Sequence, residues 1–316
     1  MSLRHTPTLR LTRILTLLLV AGSVSAILTT TGCDNTFSPK AGYEEQLVVF
    51  AVLDPTQAAQ IVRIETTYDA EGTTPDKPIG KRTIDSARVV IGDDRQEWTL
   101  RDTLVDIGGG QVKKVWYTRA FKPQEARTYR LTVDVPGTPR ITSTVSVPSK
   151  AYVQIVPPLL TASKRGVEVR SSVTSVVAPP KGYYFRLWVV GRITVNGEVK
   201  EIRREVPTRY EGPDRTPIYS EPARESVTVF STDAVVDMKS LLEGRDGATN
   251  IQVQATAYTM DAYLYNYFQT VRGFDDPVSV RQDKPDVTNI RGGVGVFGAL
   301  VADSVRSSYV SVITNN

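Results

Sequence analysis

Gly293, Gly295 and Gly298, in the stretch RGGVGVFGA from Arg291 to Ala299, have the G-x-G-x-x-G spacing of a dinucleotide-binding loop. That chemistry cradles a pyrophosphate on backbone amides at a helix N-terminus, and it needs a helix, a second strand and an acidic residue about 20 positions on. The 18 residues after Gly298, ALVADSVRSSYVSVITNN, alternate instead of following a helical period. The glycines are therefore expected to kink a strand packed in the C-terminal domain, with Phe297 buried and no helix starting at Gly298.

Other chemistry-bearing groups are few. The chain has one His, His5, and one Cys, Cys33. Both lie ahead of the folded body, which excludes Ser-His-Asp and Cys-His nucleophile systems and zinc sites built from His and Cys. Carboxylates remain, as the pairs Asp93-Asp94 and Asp275-Asp276 with Asp283 and Asp286 nearby. Oxygen ligands of this kind suit calcium, but the spacing is not that of an EF-hand loop, and solvated turn residues are the preferred reading. Two carboxylates facing each other across a cleft would serve a glycosidase, and spacing alone brings no pair together. Gly108-Gly109-Gly110 lacks the Lys and Ser or Thr of a phosphate-binding loop and reads as a hairpin connection. No metal and no cofactor is expected.

Tyr258, Tyr263, Tyr265, Tyr267 and Phe268 form an aromatic cluster that could stack on a sugar ring or a peptide. At helical spacing Tyr263 with Tyr267, and Leu264 with Phe268, make the stripe of a helix packed on a sheet. Tyr265 points away from that stripe and is the expected exposed contact.

The elements that must position these groups begin with a leader. Arg4, Arg10 and Arg13 precede an apolar run from Ile14 to Leu28, the pattern of a secretory signal peptide over residues 1–32. The run ends in Thr30-Thr31-Gly32-Cys33, which resembles a bacterial lipobox with Thr30 where Leu is usual. Cys33 is the expected site of lipid attachment; cleavage after Ala26, leaving Cys33 as a free thiol, is the alternative. Without the leader's three Arg, the 38 basic residues fall to 35 against 34 acidic, so the apparent basicity belongs mostly to the leader. No basic block with interleaved aromatics is present, and nucleic acid is not an expected partner.

Residues 33–45 read as a polar tether. Beyond them period-two alternation dominates, as in RTYRLTVDV, where Tyr129, Leu131, Val133 and Val135 share one face. Segments of this type predict a β-sandwich over 46–150, a boundary near Val147 to Pro158, and a second β-rich domain over 151–316. The latter opens with a hairpin turned by Asn196-Gly197. Helices are predicted at Asp233 to Leu242 and Met260 to Arg272, each stopped by glycine.

Several blocks together resemble the domain-of-unknown-function 4249 family, envelope lipoproteins of Bacteroidota. They are the leader with Cys33, QLVVFAVLDP from Gln46, IDSARVVIGD from Ile84, RTYRLTVDVPG from Arg127, GYYFRLWV from Gly182 and, most specifically, NIRGGVGVFGA from Asn289. The resemblance makes Asn289, Gly292, Gly293, Gly295, Phe297 and Gly298 a structural signature. It implies an immunoglobulin-like β-sandwich followed by a second β-rich domain with one or two short helices. It also implies a lipid-anchored outer-membrane protein encoded near TonB-dependent outer-membrane transporters, with no established reaction. The function expected from residues and resemblance together is non-enzymatic binding, as an accessory of such a transporter. A structural or adhesive surface protein is the alternative, and a carboxylate-based hydrolase a third.

Overall fold

Runs of β-branched and aromatic residues bounded by Gly, Pro and Asp become strands in the computed structural model, which describes residues 45–67, 84–106, 112–157, 166–173, 177–271 and 287–309. The first eight are β1 (Leu47–Leu53), β2 (Gln60–Thr66), β3 (Arg88–Gly92), β4 (Glu97–Thr99), β5 (Arg101–Asp106), β6 (Val112–Thr118), β7 (Thr128–Asp134) and β8 (Ile141–Ser146). Then come β9 (Ala151–Val156), β10 (Gly166–Val173), β11 (Gly182–Val195), β12 (Glu198–Glu205), β13 (Arg209–Glu211), β14 (Thr216–Ile218) and β15 (Val227–Ser231). Helix α1 (Thr232–Ser240), β16 (Thr249–Met260), helix α2 (Ala262–Val271) and β17 (Val294–Ser308) complete the described chain. The protein is mainly β, with several sheets and two short helices.

One eight-stranded sheet, ordered β12-β11-β16-β17-β1-β2-β6-β5, takes strands from both sides of residue 150. Its β1-β2-β6 end packs on the four-stranded sheet β4-β3-β7-β8, and Leu53, Ile91, Trp116, Leu131, Ile141 and Phe297 meet in the core between them. Its β11-β16 end packs on the three-stranded sheet β15-β10-β9 and on α1, around Val169, Phe185, Leu187, Phe230, Val235 and Val253. The alternation read from the sequence is the alternation of burial: Tyr129, Leu131 and Val133 are buried, while Thr128 and Arg130 are exposed.

β17 links the two sandwiches. Its first half, Val294 to Ala299, runs parallel to β1, and its second half, from Leu300, runs antiparallel to β16. The glycine-kinked strand and the burial of Phe297 are as expected, but its packing is not: Phe297 and Ala299 fill the N-terminal sandwich core, not that of the C-terminal domain. The partner strand lies some 240 residues upstream, and a parallel pairing at that separation leaves no local trace in sequence.

Asn196 (φ 52°) and Gly197 (φ 82°) form the predicted hairpin turn between β11 and β12. The first predicted helix runs to Ser240 and continues as a π turn over Leu241–Arg245, passing through Gly244 where a stop was expected. The second starts two residues late, at Ala262, because Met260 is still paired with Leu300 in the sheet. The short strands β4, β5, β13 and β14 had no clear signal, and β9 occupies the stretch read as a boundary.

Candidate functional site

The signature residues are structural. Asn289 lies at the end of the approach to β17, and its carboxamide binds the backbone of Phe297 twice: Oδ1 accepts from Phe297 N at 2.9 Å and Nδ2 donates to Phe297 O at 2.7 Å. Ser143 Oγ donates to Asn289 O at 2.7 Å, and Arg291 forms a two-way backbone bridge with Thr142, so the same segment clips β8 to β17. Gly292 and Gly293 pass so close to Arg140 O and Leu47 O that a Cβ would stand 2.7 Å and 2.6 Å from them. Gly295 has φ +116°, and its missing Cβ would overlap Val49 O on β1. Gly298 faces α2, where a Cβ would lie 2.8 Å from that of Leu264.

Asp261, on the one-residue link between β16 and α2, completes this arrangement. Its carboxylate accepts from Ala299 N (2.9 Å), Tyr263 N (2.9 Å) and Leu264 N (3.3 Å), and its own N–H donates to Ala299 O (3.1 Å). It thus caps the helix and holds the strand edge that β16 does not reach. Burial pushes its carboxyl above the ordinary range, outweighing the three N–H donors that favour the charged form.

That cap fixes the rotation of α2 against the expectation for its tyrosines. Leu264 and Tyr265 are buried, and Phe268 packs beside them with Tyr184, Tyr258 and Leu300. Tyr265, the expected exposed contact, is only 8% exposed, and its ring covers Gly182, where a Cβ would meet its Cγ at 2.6 Å. Tyr263 is instead the tyrosine that stands out, 42% exposed. The stripe of Leu264 and Phe268 holds, whereas Tyr263 is turned outward because its N–H is tied to Asp261.

Tyr263 overlooks a groove along the outer edge of β8. Two adjoining hollows, of about 570 Å³ and about 630 Å³, share Thr144 and Tyr263. The first continues past Ser146 to Ala178 and Lys181, the second past Thr142 to Asn289 and Arg291. Arg130 on β7 adds a third cation to the walls. Residue types and spacing gave no sign of this groove, since its parts come from four separate segments.

A third hollow, of about 460 Å³, lies beside Trp98, Phe121 and Tyr129. Trp98 and Phe121 stack at 4.3 Å, and Gln124 N donates to Tyr129 Oη at 2.9 Å. At its rim Asp93 accepts from Arg95 N and Gln96 N and pairs with Arg127 at 2.9 Å. The backbone N–H groups, with Arg127 beside them, hold its carboxyl below the ordinary range. Asp93 is thus a turn residue but not a solvated one, its side chain being 1% exposed.

Among the described residues no three His, Cys, Asp or Glu cluster so as to hold a metal ion, and no helix is long and apolar enough to cross a membrane. Cys33, Gly108 to Gly110, Asp275, Asp276, Asp283 and Asp286 lie outside the described residues. No curated protein matches the sequence significantly. The sequence model of the family described as a domain of unknown function (DUF4249) matches residues 34–306, signature segment included, and the chain belongs to that family.

Proposed function

We propose that this protein is a cell-envelope lipoprotein that works by holding a partner, not by catalysing a reaction, with Cys33 as its membrane anchor and the β8 groove as its binding surface. The groove carries the reading. It is built on β8, the start of α2 and the connecting segments 177–181 and 288–291, it presents an exposed tyrosine, and the one carboxylate on its described walls, Asp261, is engaged by three backbone N–H groups. A carboxylate held in that way is already used to position backbone, which favours a holding role over acid–base work. The basic-then-apolar leader ending in Gly32-Cys33 supports the anchor. The family resemblance suggests a TonB-dependent outer-membrane transporter as the partner.

Purification of the full chain in mild detergent, with mass spectrometry of the co-purifying proteins and of the mature N-terminus, tests both parts. The expected result is a diacylated N-terminal Cys33 and a stoichiometric outer-membrane barrel that is lost on Tyr263→Ala. An unmodified N-terminus at Ile27 refutes the anchor, and capture unaffected by Tyr263→Ala refutes the groove.

A further inference from the structure

We propose that the groove takes an acidic, extended polypeptide segment, which adds to β8 as a new edge strand. This rests on the binding role proposed above and names the chemistry of what is bound.

β8 is the outer strand of its sheet, paired with β7 on one side only. Successive residues of a strand direct their N–H and C=O groups to opposite edges. Val147 N donates toward β7, to Arg127 O, and Thr142 exchanges both backbone bonds with Arg291 on the other side. The outward set is therefore Thr142, Thr144 and Ser146. Arg291 satisfies the first of these, and Ser149 N donates to Ala178 O beyond the last. Between those two closures, Thr144 O receives one long contact, from Asn289 Nδ2 at 3.4 Å. Among the described residues, Thr144 N–H and both backbone groups of Ser146 have no hydrogen-bond partner. The opening is a gap in a ladder, closed at one end by the Thr142–Arg291 bridge and bordered past the end of β8 by the Ser149–Ala178 bond, and a short extended segment supplies the complementary groups.

Side-chain chemistry selects the segment. Arg130, Lys181 and Arg291 line the two hollows, all three are exposed, and among the described residues none has an ion pair. Nearby Arg140 differs in this respect, being bound to Asp134. With Asp261 engaged by backbone, the described walls of the groove present positive charge alone, which favours carboxylates on the incoming strand. Tyr263 gives that strand an aromatic wall at the point where the two hollows meet.

The test uses the full chain in detergent and a short fluorescein-labelled peptide alternating Val with Glu, compared with its Val-Lys counterpart, read by fluorescence anisotropy. The Glu peptide is expected to bind, more weakly as salt rises, and the Lys peptide not to bind. Ser146→Pro removes an outward N–H and leaves the backbone bonds to β7 in place, losing besides only the exposed hydroxyl contact of Ser146 with Thr128. It is expected to weaken binding about tenfold, whereas Ser146→Ala, which loses that hydroxyl contact alone, is expected to bind as wild type with the same circular dichroism melt as the Pro variant. Lys181→Glu with Arg130→Glu, on exposed side chains, is expected to reverse the preference between the two peptides. Unchanged binding by Ser146→Pro, failure of the Glu peptide to bind, or occupation of the edge by a second copy of the chain in sedimentation overturns the proposal. If the peptide fails while partner capture still depends on Tyr263, strand addition falls and the binding role stands; if capture ignores Tyr263, the binding role itself falls.

Discussion

Asn289 holds Phe297 by both backbone groups, at 2.9 Å and 2.7 Å, from eight residues upstream. On β17, β16 pairs only from Leu300 onward. The edge just before that point is satisfied by two polar side chains in place of a strand, Asn289 at Phe297 and Asp261 at Ala299. The specific block of the family signature thus takes the place of a missing strand, and the region that first suggests a cofactor loop is a strand paired in parallel with β1.

Replacing that amide with an apolar side chain of the same branched shape tests the arrangement. Asn289→Leu leaves Phe297 N–H and C=O unpaired beside a fully buried ring, so a loss of about 2–4 kcal/mol is expected in urea denaturation, with Asn289→Asp restoring one bond at most. A loss below about 0.5 kcal/mol would mean that water replaces the amide fully.

Gly182 and Tyr265 should be energetically coupled. Gly182→Ala pushes a methyl group into the ring of Tyr265, and Tyr265→Ala empties that space. Each single variant is expected to lose about 1–4 kcal/mol, and the double variant to lose about 1–3 kcal/mol less than the sum. Additive losses in a double-mutant cycle would show that the ring is free to move aside.

Gly295→Ala combines a left-handed backbone, φ +116°, with overlap on Val49 O. The expected cost is about 3 kcal/mol or more, against a change within about 1 kcal/mol for Gly244→Ala, whose Cβ meets nothing within 4 Å. Thermal melts of the two variants should separate clearly.

Asp93 and Asp261 should respond to acid in opposite directions. The Asp93 carboxyl lies below its ordinary 3.8, so the stability it contributes is present above that value and is lost as pH falls through the lower folded-state value. The Asp261 carboxyl lies above 3.8, so its contribution is fully present below 3.8 and is lost as pH rises through the higher folded-state value. Stability measured from about pH 3 to 7 should therefore show Asp93→Asn falling furthest behind wild type on the neutral side, and Asp261→Asn on the acid side. Parallel pH profiles for the two variants would contradict the assignment.

Much of the strand pattern was legible because alternation is a local property: Tyr129, Leu131 and Val133 declare a buried face wherever the strand ends up. The Asn196-Gly197 turn was legible for the same reason, since a two-residue turn with positive φ depends on the two residues that make it. The short strands β4 and β13 were not, because three residues are too few to establish a period. The binding groove was not either, since Thr144, Lys181, Tyr263 and Arg291 are brought together only by strand order.

The sequence by itself determined that the segment around Gly295 is a kinked strand, that Phe297 is buried, and that Leu264 and Phe268 lie on one packed helix face. These follow from backbone sterics and side-chain periodicity within a few residues. Only the tertiary structure decided that this strand joins β1 in parallel, that Asn289 and Asp261 take the place of a neighbouring strand, and that Tyr265 turns inward while Tyr263 faces the groove. Each of those outcomes depends on contacts between segments far apart in the chain, where the register of a sheet and the rotation of a capped helix are set by packing and not by local preference.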